Sequence, residues 1–176
     1  MTLATHESIV SFSLPGTDGK AYSPDSFAGV SALAVIFWCN HCPYVRAWED
    51  RVIALQREYA ERGVHFVLIN SNDPAKYPED SFDKMTLRAR EKGYPFPYLF
   101  DESQTVARGY GATRTPEIFL FDRDRELAYH GAPDDNYDDP AAVAHRYFRD
   151  ALEAVVAGRT PAPAETPARG CTIKWR

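Results

Sequence analysis

The sequence predicts an α/β fold, a mixed central sheet with helices on both faces. Two apolar runs carry the prediction, residues 32–37 and 64–69. Each is apolar on alternate and intervening positions alike, as a strand buried inside a sheet is, and each precedes a stretch of helical spacing. A third run, residues 117–121, is followed by a turn and a returning strand instead of a helix. Strands that alternate with helices and then close on a hairpin build a mixed sheet with three layers.

Each element has its own signal. Residues 9–14 alternate as a strand does, and 15–20 carry Pro15, Gly16, Asp18 and Gly19, so the chain opens on a hairpin. Ser23 to Gly29 is a loop or helical turn. After Pro43, apolar side chains recur at Val45, Trp48, Val52, Leu55 and Tyr59, the three- and four-residue steps of one helix face. Gly63 ends that helix. Residues 80–92 read as a polar amphipathic helix, with Phe82, Met85 and Ala89 on one side and Gly93 past its end. Residues 95–100 form a short strand limited by Pro95 and Pro97. A short helix follows over 102–110.

Residues 122–125 are a turn and 126–131 the strand that returns beside 117–121. The last helix is expected over 139–157, with Val143, Tyr147, Ala151 and Val155 facing inward. The acidic loop Asp134, Asp135, Asp138 and Asp139 is read as solvated, with Asp138 or Asp139 as the helix N-cap. Beyond Gly158 the composition turns proline-rich. Residues 1–158 are expected to form one domain, and 159–176 an arm packing back on it through Ile173 and Trp175.

Composition bounds the function. A length of 176 residues with 44% hydrophobic and 26% charged residues suits one globular domain. A formal charge of −5 argues against nucleic acid or an anionic membrane as partner. No apolar stretch approaches the roughly 20 residues that span a bilayer. The first residues lack a basic and apolar leader pattern, so a cytoplasmic location is expected. Three cysteines are too few for a disulfide scaffold.

The chemistry is expected at Trp38-Cys39-Asn40-His41-Cys42-Pro43. The cysteines stand two residues apart where a strand turns into a helix. Free amides and the helix dipole stabilise a thiolate there. The expected centre is a dithiol that cycles with a disulfide. Pro43 suits the first helical turn, and Trp38 is expected to pack over the site. A positive His41 beside the sulfurs would stabilise the reduced form and lift the potential above the roughly −270 mV of thioredoxin. No metal is expected, because a zinc site takes about four ligands and no second such pair exists. No cofactor is expected either.

These residues resemble the thioredoxin fold. The resemblance rests on the C-x-x-C after a buried strand, Thr115-Pro116 before a later one, and Tyr129-His130-Gly131 on the return strand. The N-terminal hairpin and the segment from Phe100-Asp101 to Tyr110-Gly111 resemble the redoxin branch, which holds the peroxiredoxins (the AhpC/TSA group) and thioredoxin-like relatives. The ending Gly170-Cys171-Thr172-Ile173-Lys174-Trp175 is similar to a peroxiredoxin-like subgroup that carries a C-x-x-C.

The resemblance implies a thioredoxin-like three-layer sandwich with an N-terminal β-hairpin and a redoxin βα insertion. It implies that Cys39 is exposed, has a lowered pKa and attacks, and that Cys42 resolves. It implies a cis Pro116 opposite the pair, which keeps metals from the sulfurs, and a Thr115 backbone offered to an extended substrate. Glu117 is a candidate proton acceptor, since Leu33 stands where thioredoxins carry a buried acid. The implied function is thiol–disulfide exchange in cell redox homeostasis. The substrate would be a protein or small-molecule disulfide, and the electron donor a thiol such as thioredoxin or glutathione.

Two alternatives stay open. One is a thiol-dependent, antioxidant peroxidase in which Cys42 or Cys39 is oxidised by peroxide. Against the peroxiredoxin pattern, Cys39 replaces a Thr, Val35 replaces a Pro, and Arg114 lies two residues from the expected arginine position. The other alternative is a non-enzymatic, redox-sensing binding module. Cys171 is a candidate resolving or third redox thiol, with a free thiol in a packed tail as the other reading.

Overall fold

The apolar runs lie at the centre of the sheet. The computed structural model describes residues 1–176. In chain order the elements are β1 (Leu14–Pro15), β2 (Ala21–Tyr22), β3 (Ala32–Trp38), α1 (Pro43–Tyr59), β4 (Val64–Asn70), α2 (Phe82–Lys92), β5 (Tyr98–Phe100), α3 (Thr105–Tyr110), β6 (Arg114–Thr115), β7 (Glu117–Phe121), β8 (Leu127–Gly131), α4 (Tyr147–Val156) and β9 (Cys171–Thr172). The central sheet has the order β5-β4-β3-β7-β8. The β3–β4 and β4–β5 pairs are parallel, and β3–β7 and β7–β8 are antiparallel. All seven residues of β3 are buried, because the strand is covered on both faces.

Alternation along the strands splits the core in two. Ala34, Ile36, Trp38, Phe66, Leu68, Ile118 and Leu120 face α1, α2 and α4, and Cys39 and Cys42 belong to this half. Leu33, Val35, Phe37, Val67, Ile69, Phe119 and Phe121 face α3, the N-terminal segment and Ile173 of the tail. The layers are those of a thioredoxin-like α/β/α sandwich. No helix is long and apolar enough to cross a membrane.

Two expected elements differ. The strand over 9–14 shrinks to the two-residue ladder Leu14↔Tyr22 and Pro15↔Ala21. Upstream amides bond elsewhere, Ile9 N–H to the Arg125 carbonyl at 2.9 Å. The helix expected from 139 begins only at Tyr147. Asp135 takes the amides of Ala144 and His145, each at 3.0 Å, so that stretch is a side-chain-held loop. Asp139 caps the short 3-10 turn Pro140–Ala142, not the helix. Val143 lies off the helix, and the fully buried face of α4 is Phe148, Ala151, Leu152 and Ala154. Asp134 is not solvated. It is buried, accepting from the Trp48 indole at 2.9 Å and pairing with Arg51 at 2.8 Å.

The arm runs back along β8. The His130 amide donates to the Ala164 carbonyl at 3.0 Å, and the Thr166 amide to the His130 carbonyl at 2.9 Å. Gly131 makes that approach feasible, since a Cβ there would lie 2.1 Å from Thr166 Oγ1. The chain then reaches the edge of β6.

Candidate active site

Cys42 is the N-cap of α1 and Pro43 its first residue, where a missing N–H costs nothing. Cys39 sits just past the end of β3, so the strand end and helix start aim both sulfurs at one point. Cys39 Sγ lies 3.4 Å from Thr115 Oγ1, and the Cys42 thiol 3.4 Å from the Thr115 carbonyl. The Thr115–Pro116 bond is cis, as the resemblance implies, and both residues are buried.

The charge pattern differs from the expected one. Cys39 is 1% exposed and Cys42 0%. Hydrogen bonding from Cys39 and Cys171 and from the amides of Val45 and Cys171 pulls the Cys42 pKa below the ordinary thiol range. Cys39 is pushed up, by its bond to Cys42, by burial, and by the nearby Asp80 carboxylate. The expectation of an exposed Cys39 with a lowered pKa is corrected by the strand end that buries it.

Asp80, which the sequence did not single out, is fully buried beneath the motif. Its oxygens accept from the Asn40 amide at 2.8 Å and from Asn72 Nδ2 at 2.8 Å, and His41 Nδ1 lies 2.5 Å away. His41 is partly exposed and stacks on Tyr77. Any positive charge on His41 is thus met by a carboxylate before it acts on Cys39. Asn40 is a clamp. Its side chain donates to the Glu79 carbonyl at 2.9 Å and accepts from the Tyr98 hydroxyl at 2.7 Å. Trp38 is wholly inside the core, donating to the Tyr94 hydroxyl at 3.1 Å.

Glu117 lies apart from the sulfurs. It alternates with Ile118 and so shares the face of Phe119. One carboxylate oxygen is 2.7 Å from His130 Nε2. The other accepts the amides of Thr113 at 2.8 Å and Arg114 at 3.0 Å. Its oxygens hold the loop before Thr115 and face His130.

Cys39, His41 and Asp80 place ligand atoms within 4.8 Å of one another. Both Asp80 oxygens also accept hydrogen bonds.

Cys171 arrives from the far end of the chain. It pairs with Thr115 in an antiparallel ladder, with Arg114↔Thr172 beside it. Ile173 is 3% exposed, Lys174 N–H donates to Asn72 Oδ1 at 2.8 Å, and the Lys174 carbonyl accepts from the Asp73 amide at 2.9 Å. Asn72 thereby joins the tail to Asp80. Asp80 lies about 40 residues from the motif and had no local signal. Asn70-Ser71-Asn72-Asp73 had one, a polar run at the C-terminal end of a buried strand, where α/β sites form.

Comparison with known proteins agrees with this architecture. Residues 4–145 match the family model described as Redoxin. An uncharacterized conserved protein from Geobacillus kaustophilus superposes with a TM-score of 0.94 at 38% identity, over 99% of this chain and 94% of that one. Thiol-disulfide oxidoreductase ResA of Halalkalibacterium halodurans is 25% identical over 121 residues, 69% of this chain. The chain spans 64% of that relative's length. Peroxidoxin BcpB from Mycobacterium tuberculosis shares the fold, with a TM-score of 0.68 at 20% identity over 89% of this chain and 99% of that one.

Proposed function

We propose that this chain, which belongs to the Redoxin family, is a thiol–disulfide oxidoreductase with Cys39 and Cys42 as its working pair. One observation carries the reading: both sulfurs stand at the start of α1, each 3.4 Å from Thr115, the residue before cis-Pro116. A thiolate that attacks a substrate disulfide forms a mixed disulfide, and the neighbouring thiol then resolves it. Thr115 and Pro116 border the sulfurs, and Asn40, His41, Pro43 and Trp38 hold the turn. The substrate is a protein or small-molecule disulfide, and the donor a cellular thiol of the thioredoxin or glutathione kind, in a cytoplasmic setting. The test is reduction of insulin disulfides with such a donor. Turnover should vanish in Cys39→Ser and in Cys42→Ser; turnover that survives both would remove the reading.

A second reading, thiol-dependent peroxidase, is favoured by a Cys42 thiolate at the helix N-terminus, the form toward which the lowered pKa of Cys42 points. That thiolate would be oxidised by peroxide to a sulfenic acid, which Cys39 condenses to the disulfide. Peroxide consumption lost in Cys42→Ser but kept in Cys39→Ser would select it. Absence of both activities would leave a redox-sensing binding module.

A further inference from the structure

Three sulfurs meet at this site, and they differ in access. Cys39 and Cys42 are 1% and 0% exposed, whereas Cys171 is only partly buried. Cys42 Sγ lies 3.4 Å from the Thr115 carbonyl, and Cys171, paired with Thr115, packs against the cluster that holds Cys39 and Cys42. The tail reaches this position through main-chain pairing. Cys171 lies opposite Thr115, and the Ile173 amide donates to the Thr113 carbonyl at 2.9 Å. Gly170 permits the approach, because a Cβ there would sit 1.9 Å from the Thr115 carbonyl oxygen. The edge before cis-Pro116, where an extended substrate would pair, is thus occupied by the protein's own cysteine-bearing strand.

We propose that Cys171 is a third catalytic thiol, which exchanges disulfides with Cys42 and carries electrons between external thiols and the buried pair. The proposal rests on the dithiol reading above. In the reducing direction, Cys171 as thiolate attacks Cys42 Sγ of the Cys39–Cys42 disulfide. The Cys42–Cys171 bond forms, the Cys39–Cys42 bond breaks, and Cys39 leaves as a thiolate that takes up the proton Cys171 released. A thiolate of an external dithiol donor next attacks the more accessible Cys171 Sγ and expels Cys42 as thiolate. The donor's second thiol then attacks the mixed disulfide, closing the donor's own disulfide and releasing Cys171. Two electrons have passed from the donor to the pair, and Cys171 is regenerated. The surroundings suit these roles. In the second step the leaving sulfur is Cys42, whose pKa is lowered, so it departs readily. Burial and the adjacent Cys42 push Cys171 up, so at rest it stays a thiol that donates to Cys42.

The test uses the full chain and oxidised glutathione as the disulfide. Cys39→Ser, with Cys39→Ala as a second version should serine perturb folding, removes the competing partner. Peptide mapping without reduction should find Cys42 linked to Cys171. The glutathione adduct on Cys42 should decay at least tenfold faster than in Cys39→Ser/Cys171→Ser. A stable adduct on Cys42 with Cys171 free to alkylate overturns the proposal. In wild type, a Cys39–Cys42 disulfide should be reduced by dithiothreitol at least tenfold faster than in Cys171→Ser, and an equal or slower rate overturns it. The two readings fail separately. A wild type that never forms Cys39–Cys42 removes the dithiol reading, whereas one that forms it without any Cys42–Cys171 species removes only the role of Cys171.

Discussion

Cys171 and Thr115 face each other across a two-residue antiparallel ladder, directly before cis-Pro116. The ladder joins the end of the chain to the loop that faces both motif cysteines, and it depends on Gly170. Gly170→Val places side-chain atoms against the Thr115 carbonyl and should undock the tail. Alkylation of Cys39 and Cys42 by iodoacetamide should then quicken by about tenfold or more, the factor that corresponds to roughly 1.4 kcal/mol of lost docking. Unchanged alkylation would mean that the tail does not guard the pair.

The second prediction concerns pH. Cys42 is held below, and Cys39 above, the ordinary thiol range. Between those values the reduced pair carries one proton, so reduction takes up one proton for two electrons. The potential should fall with rising pH by about 30 mV per pH unit near neutrality, and lie above thioredoxin's roughly −270 mV, because a stabilised thiolate favours the reduced form. A slope of about 59 mV, the value for two protons, would place a proton on Cys42. Thiolate absorbance near 240 nm at neutral pH should persist in Cys39→Ser and disappear in Cys42→Ser.

Asp80 sets the third. Its carboxylate is among the groups that push Cys39 up. Asp80→Asn removes that charge, lowers the Cys39 pKa and raises the potential, by on the order of 30 mV for each tenfold change in equilibrium. The same change turns an amide N–H₂ toward donors that now meet a carboxylate, so stability should fall by about 1–3 kcal/mol. Redox titration against glutathione checks the first effect and urea unfolding the second. A lower potential would reverse the assigned sign.

Glu117 and His130 set the fourth. Both are buried, and Glu117 holds the amides of Thr113 and Arg114. Glu117→Gln should cost about 1–3 kcal/mol of stability, since its oxygen can keep both amides but its N–H₂ then replaces the carboxylate oxygen beside His130. Activity per folded molecule should stay within about threefold, because Glu117 lies on the other face of the sheet from the sulfurs. A loss of activity near that of Cys42→Ser would instead make it a proton acceptor for the site.

Much of this molecule is written locally. Apolar runs of strand length, the 3- and 4-residue steps after Pro43, the glycines at 63 and 93 and the C-x-x-C at a strand–helix junction each depend on neighbours in sequence, so periodicity and turn chemistry disclose them. Contacts between residues far apart in the chain are different. Asp80 beneath Asn40, Glu117 turned toward His130, the loop that Asp135 holds before α4, and the docking of Cys171 opposite Thr115 follow from how strands register and which face each side chain takes. The sequence determined where two sulfurs would meet a helix start. Only the tertiary structure decided how each is held, Cys42 moved down and Cys39 up, because burial, hydrogen bonds and a third thiol come to that point from three separate stretches of chain.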